Sequence, residues 1–364
     1  MRVVVVAEYY PRAADPALGV WAHRQALAAQ AAGADIEVVV LHRPVPSKAA
    51  LRHRRGLLDP FKQPLRAELD GIQVTYAPFL APPRPRSYAS WGKWAAPSLW
   101  AALRSKRFDL VHAHYAAPAG DAVRRLKLPF VVSVHGGDVL GVATRFKGGR
   151  DAVANALTAA RVTLANSTMI AERANALGAR DVRVVHLGTD VPERTTDSTT
   201  LVTVGNLIAR KRHADVIRAL APGQRYLIIG DGPERGALER LARERGADVD
   251  FRGALAPDEA LALTRTAGVF VMPSVEEAFG VAYIEAMAAG LPAIGSKGEP
   301  GPEEIAACGG GMTLVGPGEL AAAIRTVLDR RRELGAAARA NVEANFTWEQ
   351  CGRATVAAYE DALR

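Results

Sequence analysis

A loop and a helix late in the chain carry the residues with the clearest chemistry. The stretch from Pro273 reads PSVEEAFGVAYIEAMAAGLP, with Glu277 and Glu285 at E-x7-E spacing. Gly280 opens a helix that runs to about Ala289, and Gly290 caps it before Pro292. Val281, Ala282, Ile284, Ala286, Met287, Ala288 and Ala289 make this helix apolar nearly all round, as in a buried helix. Glu285 is its only charge, and a buried carboxylate without donors is costly. A ligand's hydroxyl groups could supply those donors. Glu277 lies in the loop just before, where first-turn N–H groups around Phe279 and Gly280 favour an anion. Upstream, Arg210, Lys211, Arg212 and His213 follow a strand, where basic side chains can neutralise a diphosphate. Carboxylates for hydroxyls and cations for phosphates suit a nucleotide-sugar. The plainer alternative is a helix N-terminal acid, a buried Glu–Arg pair and a solvated basic turn.

A second cluster lies in the first half. Ser133-Val134-His135-Gly136-Gly137-Asp138 follows a strand and can place an imidazole and backbone N–H groups at its end. His112 and His114 alternate with Val111 and Ala113, so both face one side of a sheet. They lack a nearby third ligand for a metal. The first loop, EYYPRAADPALGVWAHRQAL, has no G-x-G-x-x-G, which argues against a dinucleotide-binding dehydrogenase.

The elements that must position these residues alternate. Candidate strands are Val3–Ala7, Ile36–Leu41, Ile72–Ala77, Leu110–His114, Phe130–Val134, Val162–Ala165 and a last one near Val182–His186. Helical stretches such as Leu18–Ala32, Pro97–Ser105 and Ala152–Ala160 separate them. This is the pattern of βαβ units and a parallel sheet covered on both faces. Residues 191–200, VPERTTDSTT, read as an interdomain linker. A second series follows at Leu201–Val204, Tyr226–Ile229, Val249–Phe251, Val269–Met272 and Ala293–Ile294, and then a helical C-terminal stretch. The expected fold is α/β, with two doubly wound, Rossmann-like domains, 1–190 and 191–346, facing a cleft. Helix 347–364 is expected to cross back to the first domain. In open parallel sheets, ligands bind beyond the strands' carboxyl ends, where both clusters fall.

The string S-x-E-E-x-F-G-x-x-x-x-E-A-M-A-x-G-x-P resembles the E-x7-E motif of retaining glycosyltransferases with the GT-B fold, the group 1 or family 4-like enzymes. The similarity runs over nearly the whole chain and is strongest from Val202 to Pro292. It implies that Glu277 contacts the donor sugar's hydroxyls and Glu285 the nucleotide ribose, with Phe279 and Gly280 also on the donor. VGNLIARKRH is similar to the family's G-R-L-x(4–5)-K-G segment, whose Arg and Lys bind the donor diphosphate and support its departure. Lys211 matches that Lys. Asn206 stands where the Arg is usual and Arg212 where the Gly is usual, so Arg210 becomes the candidate guanidinium. Gly232 belongs to a G-x-G-P turn and Gly253 to an F-x-G near the base, although purely structural turns fit both. His135 to Asp138 resembles H-G-x-D, with the histidine beside the transferred sugar and Asp138 assigned to the acceptor side. Gly19, at the start of a helix, matches a glycine that lets donor phosphates or acceptor approach the backbone. Tyr9, Trp21 and Arg24 are then acceptor contacts. His186 to Asp190 resembles P-N-G-x-D with Leu187 for Asn, and residues 298–303, GEPGPE, resemble the loop after the acidic helix. The resemblance implies transfer of a hexose-like unit from a nucleotide diphosphate sugar to an acceptor hydroxyl with retention. The departing phosphate helps to deprotonate the acceptor, and neither metal nor cofactor is called for.

Composition narrows the rest. At 364 residues, 49% hydrophobic and 23% charged, the chain can bury two ordinary cores and is not disordered. There is no membrane-spanning apolar run and no signal-peptide layout. Cys308 and Cys351 indicate neither a disulfide framework nor a zinc site, so a reducing cytoplasm is the expected setting. The net charge of +8 is uneven, for residues 1–190 hold 26 basic and 14 acidic residues and the remainder has a net of −4. Lys48, Arg52, Arg54, Arg55, Lys62 and Arg66 are mixed with Leu51, Leu57, Leu58, Phe61 and Leu65. Arg84, Arg86 and Lys93 are interleaved with Tyr88, Trp91 and Trp94. Such mixtures can lie on the anionic inner face of a cell membrane. The alternative is a solvated loop and a helix whose aromatics face the core. A glycan, lipid-linked or phosphorylated acceptor is expected, and nucleic acid has no supporting motif. Three alternatives stay open: a GT-B-like epimerase, a phosphorylase lacking an identifiable cofactor lysine, and a non-catalytic membrane-surface module.

Overall fold

The computed structural model describes residues 1–46, 56–84, 86–193 and 198–364. Lys48, Leu51, Arg52, Arg54 and Arg55 of the basic stretch lie outside them, as do residues 194–197 of the linker. The chain divides into two compact units, Met1–His186 with Trp348–Arg364, and Leu187–Thr347.

The first unit is built on β1 (Arg2–Ala7), β2 (Asp35–His42), β3 (Arg66–Leu69), β4 (Ile72–Pro78), β5 (Leu110–His114), β6 (Phe130–Val134), β7 (Val162–Ala165) and β8 (Val182–Val184). Their order is β3-β4-β2-β1-β5-β6-β7-β8. Every residue of β5 and β6 is buried, so helices cover both faces and the strands read as unbroken apolar runs. The sheet departs from the expected all-parallel form at one edge, where β3 pairs antiparallel with β4. Asp70 (φ 48°) and Gly71 (φ 81°) make the tight turn between them. The RAEL of β3 alternates between exposed and half-buried positions, which concealed the strand.

The second unit holds β9 (Leu201–Val204), β10 (Tyr226–Ile229), β11 (Val249–Gly253), β12 (Val269–Met272), β13 (Ala293–Ser296) and β14 (Met312–Val315). All pairings are parallel, in the order β11-β10-β9-β12-β13-β14. Each sheet therefore reverses its winding once, between β1 and β5 and between β9 and β12. The crevices outside such switch points are where doubly wound sheets take ligands. The loops after β1, β6, β9 and β12 hold most of the singled-out residues.

The C-terminal helix Trp348–Leu363 packs within the first unit on helix Val20–Ala31. Gly352 is what permits the approach: a Cβ there would lie 2.2 Å from the Ala28 carbonyl oxygen. Gln25 Nε2 donates to Thr355 Oγ1 at 3.1 Å across the same seam. Gly352→Val should force the helices apart and cost about 1–3 kcal/mol, the usual range for overpacking. A lowered urea midpoint with an unchanged slope checks this, and an unaltered midpoint would show that the seam yields freely.

Candidate functional site

In the second unit the site grows from the turn after β9. Ala209–Lys211 forms a single turn of 3-10 helix, and Arg212 adopts a left-handed conformation at its end (φ 53°). This turn sends Lys211 inward. Its Nζ lies 2.5 Å from Glu277 Oε2 and 3.3 Å from the Met272 sulfur, and both Lys211 and Glu277 are buried. Ser274 Oγ donates to the same Glu277 oxygen at 3.2 Å, and Arg210 Nη1 stands 3.5 Å from it. Burial pulls the Lys211 pKa down, and the carboxylate opposes that pull. The loops are latched through the backbone as well. Val275 N–H donates to the Arg210 carbonyl at 2.8 Å, and Glu277 N–H donates to Glu299 Oε2 at 3.0 Å. Glu299 and Ser274 were not singled out as site residues, although both lie within motif strings.

Gly280 (φ 83°) caps helix Val281–Ala288. Phe279 is a packing residue, buried against Phe346 with ring centroids 5.8 Å apart. Glu285 departs from the expectation of full burial. Positions 281, 282 and 285 are half-buried, so Glu285 lies on the less covered side of the helix and its desolvation is partial. Asn206 is exposed, and its carbonyl lies 3.3 Å from His213 Nε2. Gly232 lets its loop close on β9's, since a Cβ there would meet the Leu207 carbonyl oxygen at 2.5 Å. Gly253 (φ 74°) ends β11, and its carbonyl accepts from Gly230 N–H at 2.8 Å.

The first unit brings an imidazole into an aromatic group. His135 follows β6, with ring centroids 5.1 Å from Tyr115 and 6.4 Å from Trp21, and Tyr9 lies 5.2 Å from Tyr115. Behind it, His114 Nδ1 is 3.0 Å from His135 Nε2, with the rings nearly parallel. His112 Nδ1 and Nε2 lie 2.6 Å from Tyr359 Oη and 2.7 Å from Ser133 Oγ. Burial pushes the His135 pKa down to about 4 and that of His112 to about 3, so both rings are neutral at pH 7. Buried Nδ1 of His135 and Nε1 of Trp21 have no partner among the described residues.

Three of the expected donor- and acceptor-binding residues have partners of their own. Asp138 is fully buried and accepts from the N–H groups of Ala116, His135 and Val139 at 3.0–3.2 Å. It shapes the loop and presents no free surface to an acceptor. Arg24 lies over the Trp348 ring at 5.5 Å. Gly19 (φ 68°) is approached by Tyr9 itself, whose carbonyl carbon would stand 2.2 Å from a Cβ. Trp91 is core, whereas Trp94 is exposed. Among the described residues, no group of three or more His, Cys, Asp or Glu forms a metal site.

Two doubly wound units with these sites at their switch points share the architecture of solved glycosyltransferases. Sucrose-phosphate synthase from Thermosynechococcus elongatus superposes with a TM-score of 0.79 at 19% identity, over 99% of this chain and 98% of that one. Anabaena HepE, solved with UDP and glucose, gives 0.73 at 18% identity over 99% of each chain. The chain belongs to the group 1, family 4-type glycosyltransferases. Residues 17–193 match the Glycosyltransferase Family 4 model and residues 190–344 the Glycosyl transferases group 1 model. Bacillus subtilis TuaC, described as a teichuronic acid biosynthesis glycosyltransferase, is 28% identical over 81% of this chain and 80% of its own. A GDP-mannose-dependent phosphatidylinositol dimannoside mannosyltransferase of Mycobacterium tuberculosis is 33% identical over 56% of this chain and 59% of its own.

Because its folded pKa lies well below the ordinary value, His135 should stay unprotonated through the usual imidazole range. Ring-proton NMR from about pH 8 down to about pH 5.5 should show no titration for His135, and a midpoint near about 6.5 would contradict the buried, neutral ring.

Proposed function

We propose that this chain is a retaining glycosyltransferase that moves a hexose unit from a nucleotide diphosphate sugar to an acceptor hydroxyl, in cell-surface glycan or glycolipid synthesis. The observation that carries the reading is the Lys211–Glu277 pair, held at 2.5 Å between the β9 and β12 loops beside Arg210. In this reading Arg210 and Lys211 neutralise the donor diphosphate and stabilise its negative charge as it departs. Glu277 orients sugar hydroxyls, and Glu285, on the less covered side of its helix, takes the ribose. His135 serves the transferred sugar as a neutral hydrogen-bonding group. Asp138 and Glu8 are the buried carboxylates near the aromatic group, and both are engaged, Asp138 by N–H groups and Glu8 by Arg84 and Tyr88. A mechanism in which the departing phosphate takes the acceptor proton needs neither of them, nor a metal.

The acceptor side carries membrane character. On helix Trp91–Leu103 the exposed residues Lys93, Trp94, Pro97 and Trp100 recur along one side, and Arg104 continues it. Leu58, Phe61, Leu65 and Leu80 are also exposed. Tryptophans beside cations suit the headgroup level of an anionic bilayer. No helix among the described residues is long and apolar enough to cross a membrane. A peripheral site on the inner membrane face, with a lipid-linked or phosphorylated acceptor, follows from the proposal.

With a competent donor, Glu277→Ala and Lys211→Ala should each lower turnover about a hundredfold or more, as loss of a charge-stabilising group does. Unchanged turnover in both would sink the assignment. Acceptor-dependent release of nucleoside diphosphate separates a transferase from an epimerase. Sedimentation with vesicles should rise with phosphatidylglycerol content and fall for the double substitution Trp94→Ala and Trp100→Ala; no dependence on anionic lipid would remove the membrane from the picture.

A further inference from the structure

Three arginines border one cavity of about 570 Å³ in the first unit. Arg12 lies in the loop after β1, Arg43 just after β2 and Arg84 in the loop after β4, and these strands are neighbours in the sheet. Leu18, Leu41 and Trp91 add apolar wall.

A single carboxylate, Glu8, shares the cavity lining with them. It is 6% exposed, accepts from Tyr88 Oη at 2.6 Å and is ion-paired with Arg84. Arg43 donates from Nε to the Ala81 carbonyl at 3.0 Å and lies over the Trp91 ring at 4.9 Å. Arg12 donates from Nη2 to the carbonyls of Glu8 and Leu41 at 2.7 and 3.4 Å. Its Nε is buried and has no partner among the described residues. Carbonyl and ring contacts orient a guanidinium without cancelling its charge. Three permanent cations against Glu8, with the Asp15 carboxylate also acting on Arg12, still leave a local surplus of positive charge in a partly desolvated space. A buried, unsatisfied donor in such a place costs free energy unless a ligand meets it.

We propose that this cavity binds the phosphate ester of the acceptor substrate. That a substrate called an acceptor exists at all rests on the function proposed above, whereas the anion site itself does not. Tyr9 joins the two places. Arg84 Nη2 donates to Tyr9 Oη at 3.0 Å, and the Tyr9 ring lies 5.2 Å from Tyr115, which borders His135. A phosphate held by the arginines thus sets the rest of the acceptor across Tyr9, toward the His135 group. Planar guanidinium forks match phosphate oxygens in pairs, so the site selects geometry as well as charge.

The test uses the full chain and inorganic phosphate, titrated by calorimetry. Arg43→Gln should weaken phosphate binding by about tenfold or more, and Arg12→Gln, as an independent variant, should do the same. Lys211→Ala, which strips the other phosphate-binding candidate, should retain this binding. Circular dichroism confirms that each variant is folded. Arg84 is left intact because it neutralises buried Glu8. Absence of phosphate binding, or binding untouched by both Arg43→Gln and Arg12→Gln, overturns the proposal. Competition by phosphatidylglycerol vesicles, and none by phosphatidylcholine vesicles, assigns the phosphate to a lipid headgroup; competition by glucose 6-phosphate alone assigns it to a soluble acceptor. Should nucleotide-sugar transfer prove absent while this binding persists, the transferase reading fails and the anion site stands.

Discussion

A carboxylate and an ammonium withdrawn from water together lose hydration worth several kcal/mol, which their attraction returns only when the geometry is close and the spare valences are met. Glu277 and Lys211 satisfy that condition at 2.5 Å, with Ser274 and Arg210 completing the ring of donors. Much of the second unit's site follows from holding this pair. The 3-10 turn after β9 exists to aim Lys211 inward, and the β12 loop is latched to it by Val275 and to the β13 loop through Glu299. Gly232 leaves room for the β9 loop, since the Leu207 carbonyl oxygen would lie 2.5 Å from a Cβ there. The pair is thus held between two loops by contacts that the fold itself supplies.

The first unit handles polar groups at its switch point differently. Its buried histidines are kept neutral by desolvation: His112 lies between Tyr359 and Ser133, and His114 packs tilted against His112 and stacks on His135, whose Nε2 it meets. The C-terminal helix supplies Tyr359, so the last residues of the chain hold the His112 ring of β5 in place. Net charge is concentrated to one side of this neutral group, in the arginine-lined cavity. A neutral, aromatic surface next to a cationic one is a division of labour suited to a sugar-like ring bearing an anionic substituent.

Most of the architecture was legible because the central strands are buried on both faces. VVVVA, LVHAH and FVVSV stand out as apolar runs bounded by polar loops. Edge strands lack that pressure. RAEL and MTLV are only partly buried, so β3 and β14 carried no comparable pattern. Glu285 was read as buried because its helix is apolar nearly all round, but Val281 and Ala282 share with it a side that the packing covers only in part, which an unbroken apolar pattern does not reveal. Arg24 and Asp138 were drawn toward a ligand by their neighbours in sequence. Arg24's actual partner, Trp348, is remote along the chain, and Asp138 folds back on its own loop.

The sequence by itself determined the two doubly wound units, the strand ends at which chemistry must sit, and the residues of the E-x7-E and H-G-x-D strings. Those depend on local periodicity and on motif spacing, which a linear chain displays in full. Only the tertiary structure decided that Lys211 spends its charge on Glu277, that Tyr359 of the C-terminal helix meets His112, and that Arg12, Arg43 and Arg84 converge. The last three stand far apart in sequence, after β1, β2 and β4. Only the pairing of those strands side by side brings their charges into one cavity, and strand order is a property of packing, not of any stretch of residues.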